Sequence, residues 1–411
     1  MKSRFFFIVL MFFCGCLTFG QSTLLPPKEN PFGSAQETPA EGPEPNPEPE
    51  KKETFDSNFS ISEFLISTEG KWNQEDAVFG FSSDVSMELT LKTGNSAYAF
   101  SGFDIEADNI ERLFTDKTSG QSSNLAMKLS GAGFGINNIK ESGFYFQFFT
   151  GKNDRLASGG IFSSLFQEEG IRPFFYKTTE KNDLYRGIHR VIGTGFNIGV
   201  KDKSDKVSTN IYLYQDNVNP ANKGIYAIDY AFNLNLPVFK MSSFVGFSTP
   251  AKEQKPLFRS GVMCFLTNGK DSGLYTELGI PYYPIGDKFT IENLYILFEP
   301  RFRVGLVTTS LTFFYNPEYY LEKETDEGGD IDLSLRLAIG DIEKKELQGG
   351  LESTLNFITK TDADIFDVLI SPFLSLKTGP VFWDGKLNIS VLNFKNPREM
   401  FSFNLITKAE F

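Results

Sequence analysis

Hydrophobic and polar residues alternate in short runs along most of the chain. Val85, Met87, Leu89 and Leu91 stand against Ser86, Glu88, Thr90 and Lys92. Leu125, Met127 and Leu129 stand against Lys128 and Ser130, and Val207, Thr209, Ile211 and Leu213 against Ser208, Asn210, Tyr212 and Tyr214. The cleanest run sets Ile331, Leu333, Leu335, Leu337 and Ile339 against Asp330, Asp332, Ser334, Arg336 and Ala338. Leu387, Ile389 and Val391 oppose Asn388 and Ser390. A period of two puts successive side chains on opposite faces of an extended strand, so each run predicts a strand with one apolar and one polar face. No long helical stripe interrupts the pattern, which predicts an antiparallel all-β fold.

The last eleven residues carry the same alternation to the end of the sequence. Phe401, Phe403, Leu405, Thr407, Ala409 and Phe411 share one face; Ser402, Asn404, Ile406, Lys408 and Glu410 share the other, with Ile406 the one mismatch. This strand resembles the C-terminal strand of bacterial outer-membrane β-barrel proteins, which ends in Phe with apolar residues at every second position before it. The resemblance implies that Phe403 and Phe411 belong to an insertion signal read by the barrel-insertion machinery, and that the strand closes the barrel. An ordinary half-buried last strand of a soluble β-domain fits the same eleven residues.

The connections separate these alternatives further. Tight turns are expected near Lys92–Ser96, Asn137–Ser142, Asp202–Lys206, Pro237–Lys240, Asn268–Ser272, Arg303–Gly305, Asp341–Glu346 and Gly379–Gly385. Gly94-Asn95, Asn268-Gly269 and Asp384-Gly385 have the chemistry of hairpin turns. Longer polar connections lie between them: Glu69–Glu75, Ala107–Gly120, Lys152–Arg190, Asp216–Lys223, Thr249–Lys255, Tyr282–Asp287, Asn316–Gly329, Thr361–Asp364 and Lys395–Glu399. Alternating short and long connections are expected of an up-and-down transmembrane β-barrel, and a Greek-key sandwich has no reason for them. Both chain ends then lie on the short-turn side, which makes Asn58–Ser67 the first strand. The expected count is about 18 strands, within a range of about 14 to 18, and an even number suits a bacterial single-chain barrel.

In such a barrel the apolar faces meet lipid. The other faces carry Glu88, Lys128, Asp229, Glu299, Arg301, Arg303, Asp332, Arg336, Glu352 and Lys408. Ionised groups are costly in a dry core, and a water-filled lumen removes that cost. A soluble sandwich that turned these faces outward would satisfy the same periodicity.

Composition narrows the classes. Apolar residues make up 40% of 411, yet only the N-terminus approaches the length of a spanning helix, which excludes a helical membrane protein. Phe numbers 44, and aromatics favour strands and membrane interfaces. A net charge of −12 argues against a nucleic-acid partner. Lys2 and Arg4 precede the apolar run Phe5 to Phe13 and then small residues, the order of a secretory signal. Residues 1–20 are therefore expected to be a signal peptide cut after Gly20, with lipidation at Cys16 as the alternative. A cut after Gly20 leaves Cys264 as the one cysteine and no disulfide framework. Residues 21–57 are Pro- and Glu-rich, cannot bury a core, and are expected to be a disordered periplasmic linker ahead of a barrel over 58–411.

Candidate chemistry is sparse. Gly131-Ala132-Gly133-Phe134-Gly135 and Gly193-Thr194-Gly195-Phe196 are followed by strand pattern instead of the helix that a dinucleotide loop needs. The acidic run Asp326–Asp332 has Leu337 where a calcium loop places its twelfth ligand. His189 is the only histidine, no G-x-S-x-G elbow occurs, and no catalytic, metal or cofactor residue is assigned. His189 is expected at a loop or rim.

The connection Lys152–Arg190 is unusual for its 39 residues. It carries Lys152, Arg155, Arg172, Lys177, Lys181, Arg186 and Arg190 against five acidic residues, with apolar Ile161-Phe162, Leu165-Phe166 and Pro173-Phe174-Phe175-Tyr176. By resemblance to porins this loop enters the lumen and narrows it, with Arg172, Arg186 and Arg190 on the constriction. An external loop packed on its neighbours is the alternative. The lumen wall is expected to include Glu299, Arg301, Arg303, Asp332, Arg336, Asp229 and Lys128.

The resemblance implies a porin-like outer-membrane channel for passive diffusion of small hydrophilic solutes. Expected partners are outer-membrane lipid, the insertion machinery, the solutes and, as the resemblance admits, further copies of the chain. Three other outcomes fit the same residues: a barrel for hydrophobic substrates, a surface-exposed structural or adhesive barrel, and a secreted or lipidated soluble β-domain.

Overall fold

The computed structural model describes residues 57–73, 78–93, 96–107, 125–139, 143–168, 171–174, 188–216, 225–249, 255–269, 272–316, 331–341, 346–358, 365–392 and 400–409. The expected signal peptide, nearly all of the expected linker, Arg186 and Phe411 lie outside these residues. Eighteen strands fill the description: β1 (Ser57–Asn73), β2 (Val78–Thr93), β3 (Ala97–Ala107), β4 (Leu125–Ile139), β5 (Phe144–Leu156), β6 (His189–Lys201), β7 (Val207–Asp216), β8 (Tyr226–Asn235), β9 (Phe239–Thr249), β10 (Leu257–Thr267), β11 (Ser272–Pro284), β12 (Tyr295–Val304), β13 (Val307–Tyr315), β14 (Ile331–Asp341), β15 (Leu347–Ile358), β16 (Ile365–Thr378), β17 (Val381–Ser390) and β18 (Phe401–Ala409). One short helix, α1 (Ile161–Phe166), follows β5.

All the strand pairs are antiparallel, and consecutive strands pair throughout. β1 pairs with β2 on one side and with β18 on the other, where Phe64↔Ala409 to Lys71↔Ser402 are in register. The pairing thus returns to its first strand, giving an all-β up-and-down barrel. Asn58–Ser67 falls within β1, as expected.

The faces sort by exposure as the alternation predicts. Phe196, Leu213, Ile228, Phe247 and Phe258 lie in one register row across β6 to β10. The first four of that row are exposed. The neighbouring parity of the same strands holds Tyr212, Tyr214, Asp229, Phe244 and Arg259, all buried. The apolar parity is therefore the outward face and the polar parity the inward one. A sandwich would bury the first set, so the exposure pattern removes that alternative.

Three connections differ from expectation. The Asp384-Gly385 pair is inside β17; the turn is 379–380, where Gly379 takes φ +60 ahead of Pro380, which cannot donate to a ladder. Glu69–Asn73 belongs to β1, so the first connection shrinks to 74–77. The long connection after β5 is 157–188, because β5 extends to Leu156 and β6 begins at His189.

Candidate functional site

Residues 157–168 and 171–174 lie against the inward face. They leave β5 at the long-connection end of the barrel. Phe162 and Phe166 then reach Lys240 and Lys201, whose ammonium groups sit 5.7 and 5.6 Å from the two ring centroids. Those lysines flank the short turns 236–238 and 202–206. Lys240 Nζ also donates to Glu168. α1 therefore sits near the opposite end of the barrel from where its connection starts. Ile161, Phe162 and Phe166 form one apolar cluster with Phe149, Ala231, Phe244, Met263, Tyr275, Tyr295 and Leu297 of the wall. Ile188, where the connection rejoins the sheet, packs over Gly261; a Cβ added there would stand 2.6 Å from Ile188 Cδ1.

The same segment covers a charged station on β12. The backbone N–H of Phe174 donates to both oxygens of Glu299, at 2.8 and 2.9 Å. Thr312 Oγ1 donates to Glu299 Oε2 at 2.7 Å, and Arg301 Nε donates to Oε1 at 2.7 Å. Arg301 Nη2 donates to the carbonyl of Arg172, and the guanidinium lies 4.2 Å from the Phe174 ring centroid. Glu299 has no accessible surface. The structure brings together Glu299, Arg301 and Arg172 from three expected sites. It places Glu299 beneath the segment and not on a wetted wall: the segment supplies donors where water was expected.

A second station is equally dry. Asp229 accepts from Arg259 Nε at 2.7 Å and Nη2 at 3.0 Å, and from Tyr214 Oη at 2.7 Å. His189 Nε2 lies 3.0 Å from Tyr214 Oη and 3.3 Å from Asp229 Oδ2, its ring stacked on Phe244. Arg259 Nη1 reaches Ser248 Oγ at 2.7 Å and Asp216 Oδ2 at 3.4 Å. His189 is thus a buried strand residue, not a rim residue, because it opens β6 and shares the buried parity of Val191, Gly193 and Gly195. The opposite parity places Arg190 with the outward-facing Ile192, Thr194 and Phe196, so Arg190 is not on the inserted segment.

The remaining expected residues are scattered. Arg303 donates to Asp341, next to the turn 305–306. Asp332 and Arg336 share the inward parity of β14 with buried Ser334. Arg336 Nη1 donates to Glu352 Oε2 at 3.0 Å, and its guanidinium stacks 3.7 Å from the Phe373 centroid. Lys386 Nζ donates to the other Glu352 oxygen at 2.8 Å. Lys128 is exposed, opposite Asp104 in register, and Lys152 Nζ donates to Asp104 at 2.5 Å. Phe403 lies opposite Leu387 and Gly70.

Arg259, Tyr214, Lys240 and Lys386 were not singled out from the sequence. Arg259 had a signal: it is the single charge in β10, Leu257–Thr267, and an isolated charge in an apolar strand needs a partner.

No family model matches the chain, and no curated protein matches it. Among solved structures it is similar to a triple mutant of the Rhodopseudomonas blastica porin, with 10% identity, 86% of this chain and 100% of that chain covered, and a TM-score of 0.45. It is similar to Pseudomonas aeruginosa OpdK, solved with vanillate, at 10% identity over 87% of this chain and 98% of that one, with a TM-score of 0.46. It is also similar to Acinetobacter baumannii OccAB3, at 10% identity over 87% and 99%, with a TM-score of 0.49.

Proposed function

We propose that the chain is an outer-membrane channel for passive diffusion of small hydrophilic solutes, exported by a signal peptide over 1–20 and tethered by a periplasmic linker over 21–57. The observation that carries this reading is the inversion of the sheet: bulky apolar rows face outward and ion-paired groups face inward. Lipid stabilises such an outward face, whereas water does not. Strands of nine residues or more match the ~9–11 residues a tilted strand needs to cross a bilayer. Phe403 and Phe411 are assigned to insertion.

With β5 to β13 largely covered by the inserted segment, the solute route is assigned to the lumen bounded by β14 to β18 and β1 to β4. Asp332, Arg336 and Lys128 line it, while Glu299, Arg301 and Arg172 hold the segment and Asp229 is paired with Arg259. Arg303 sits at the short-turn mouth. No enzymatic activity is proposed. The dry half of the lumen also favours a second reading, a structural barrel without transport. Planar-bilayer recording separates the two. Stepwise ohmic currents support the channel, and silence from protein that migrates as a folded, heat-modifiable species supports the structural barrel.

A further inference from the structure

The outward face carries an apolar feature that is not a strand. The register row of Phe196, Leu213, Ile228, Phe247 and Phe258 continues to Tyr283 on β11, which stands opposite Phe258. The Phe247 and Phe258 rings meet with centroids 5.3 Å apart. β12 does not reach this row, because its pairing with β11 stops at Gly279↔Tyr295. β11 runs on to Pro284, and residues 285–294 return from its tip to Tyr295. Phe289 of that return sets its ring edge-on to Tyr283, with centroids 5.6 Å apart. A loop residue therefore extends the row past β11, where β12 is absent.

The return is both apolar and ordered. Ile285, Phe289 and Ile291 are 44%, 47% and 49% exposed. The backbone that presents them is tied down. Ile285 N–H donates to the Pro256 carbonyl at 2.8 Å, and Leu294 N–H to that of Ile291 at 2.9 Å. Thr290 N–H donates to Asn293 Oδ1 at 2.9 Å around the 3-10 turn Ile291–Asn293, and Tyr283 Oη donates to the Asp287 carbonyl at 2.5 Å. Asp287 also pairs with Lys255. Asp287, Lys288 and Glu292 are exposed between the apolar residues. The segment is thus amphipathic, and its apolar groups are held outward without further ordering cost. A contiguous exposed apolar patch marks an interaction surface. Aromatic and charged residues side by side suit the boundary between acyl chains and headgroups, and the row that Phe289 joins belongs to the outward apolar face.

We propose that residues 285–294 form a lipid-seated loop. Its apolar side chains, Phe289 and Ile291 foremost, rest at the boundary between headgroups and acyl chains on the long-connection side, and Asp287, Lys288 and Glu292 meet headgroups and water. This rests on the outer-membrane reading, and the test separates the two.

The test is the fluorescence of Phe289→Trp in the full chain, with Trp72→Phe and Trp383→Phe removing the native indoles. The protein is refolded into phosphatidylcholine vesicles whose acyl chains carry bromine either near the carbonyl end or near the methyl end. Leu335→Trp in the same background is the control, since Leu335 lies midway along the outward face of β14. Bromine near the carbonyl end is expected to quench Phe289→Trp about twofold more than bromine near the methyl end, because an interfacial apolar group sits only ~5–10 Å deep. The control is expected to show the reverse order. Ile291→Trp repeats the measurement on a second side chain of the loop, should Phe289→Trp misfold. Emission at 289 and 291 that neither bromine quenches, with the control quenched, overturns the lipid seat and leaves the barrel in lipid standing. Emission that shifts to the blue only as the protein is concentrated in the membrane assigns the loop to a second copy of the chain and also overturns it. An unquenched control overturns the outer-membrane reading, and the lipid seat with it.

Discussion

Asp229 and Arg259 stand two strands apart and meet across Gly246, with Arg259 Nε 2.7 Å from Asp229 Oδ1. The intervening residue has to be glycine, since a Cβ at 246 would lie 1.8 Å from Asp229 Oδ1 and 2.9 Å from Arg259 Nε. Gly246→Ala is therefore expected to push the pair apart. Breaking a buried pair costs ~3–5 kcal/mol because one charge is left without compensation. The check is the urea midpoint of the refolded barrel, followed by heat-modifiable migration. Asp229→Asn combined with Arg259→Met is expected to cost less than Arg259→Met alone, because the double variant strands no charge. Equal losses would show that the pair acts only through packing.

Arg301 and Arg303, two residues apart on β12, are expected to behave differently. Arg301 holds the inserted segment through Arg172 and Phe174, whereas Arg303 pairs with Asp341 at the sheet end. Arg301→Ala also removes a charge-assisted bond from buried Glu299. Arg301→Ala is expected to raise the variance of single-channel conductance as the segment loosens, and Arg303→Ala to leave it near wild type. Recordings at equal salt compare the two, and indistinguishable traces would dismiss the anchoring role.

The contrast between these arginines was not legible in the sequence, although their shared inward parity was. Period-two alternation survives in the sequence because each strand has a lipid side and a lumen side, so the ring and its strand number follow from local pattern. What covers a residue does not. Glu299 is sealed by Phe174, 125 positions earlier in the chain, and Arg259 finds Asp229 only through the register of β9. Within the turn region expected over Gly379–Gly385 both Gly379-Pro380 and Asp384-Gly385 have turn chemistry, and only pairing with β16 and β18 shows that the first one bends. His189 differs from its expected loop or rim position for a related reason. It ends a long connection, yet its parity already belongs to β6.

The outward face yields a depth-dependent prediction. Leu335 lies midway along β14 and is exposed, while Ile339 is exposed close to the short-turn end. An arginine at the middle of a lipid-facing strand costs ~2–4 kcal/mol, falling to ~0–1 kcal/mol near the interface. Leu335→Arg is expected to destabilise folding into liposomes by the larger amount and Ile339→Arg by the smaller. Urea titration of bilayer-inserted protein supplies both values. Two small, equal effects would mean that β14 does not meet lipid.

Arg336 offers the corresponding prediction for the inward face. Its guanidinium is held by Glu352 and by the Phe373 ring, and Lys386 occupies the other Glu352 oxygen. Two cations thus share one carboxylate, leaving this stretch of wall one charge positive before Asp332 and Asp384 are considered. Arg336→Ala keeps the Lys386–Glu352 pair and removes the excess, so the lumen becomes more attractive to cations. Zero-current potentials in a salt gradient are expected to move toward cation preference by several millivolts, as a single charge in a narrow polar conduit does. Arg336→Lys retains the charge but loses the planar stack. It is expected to keep the wild-type potential, so a shift as large as that of Arg336→Ala would mean that the ring contact, and not the charge, governs passage at this wall.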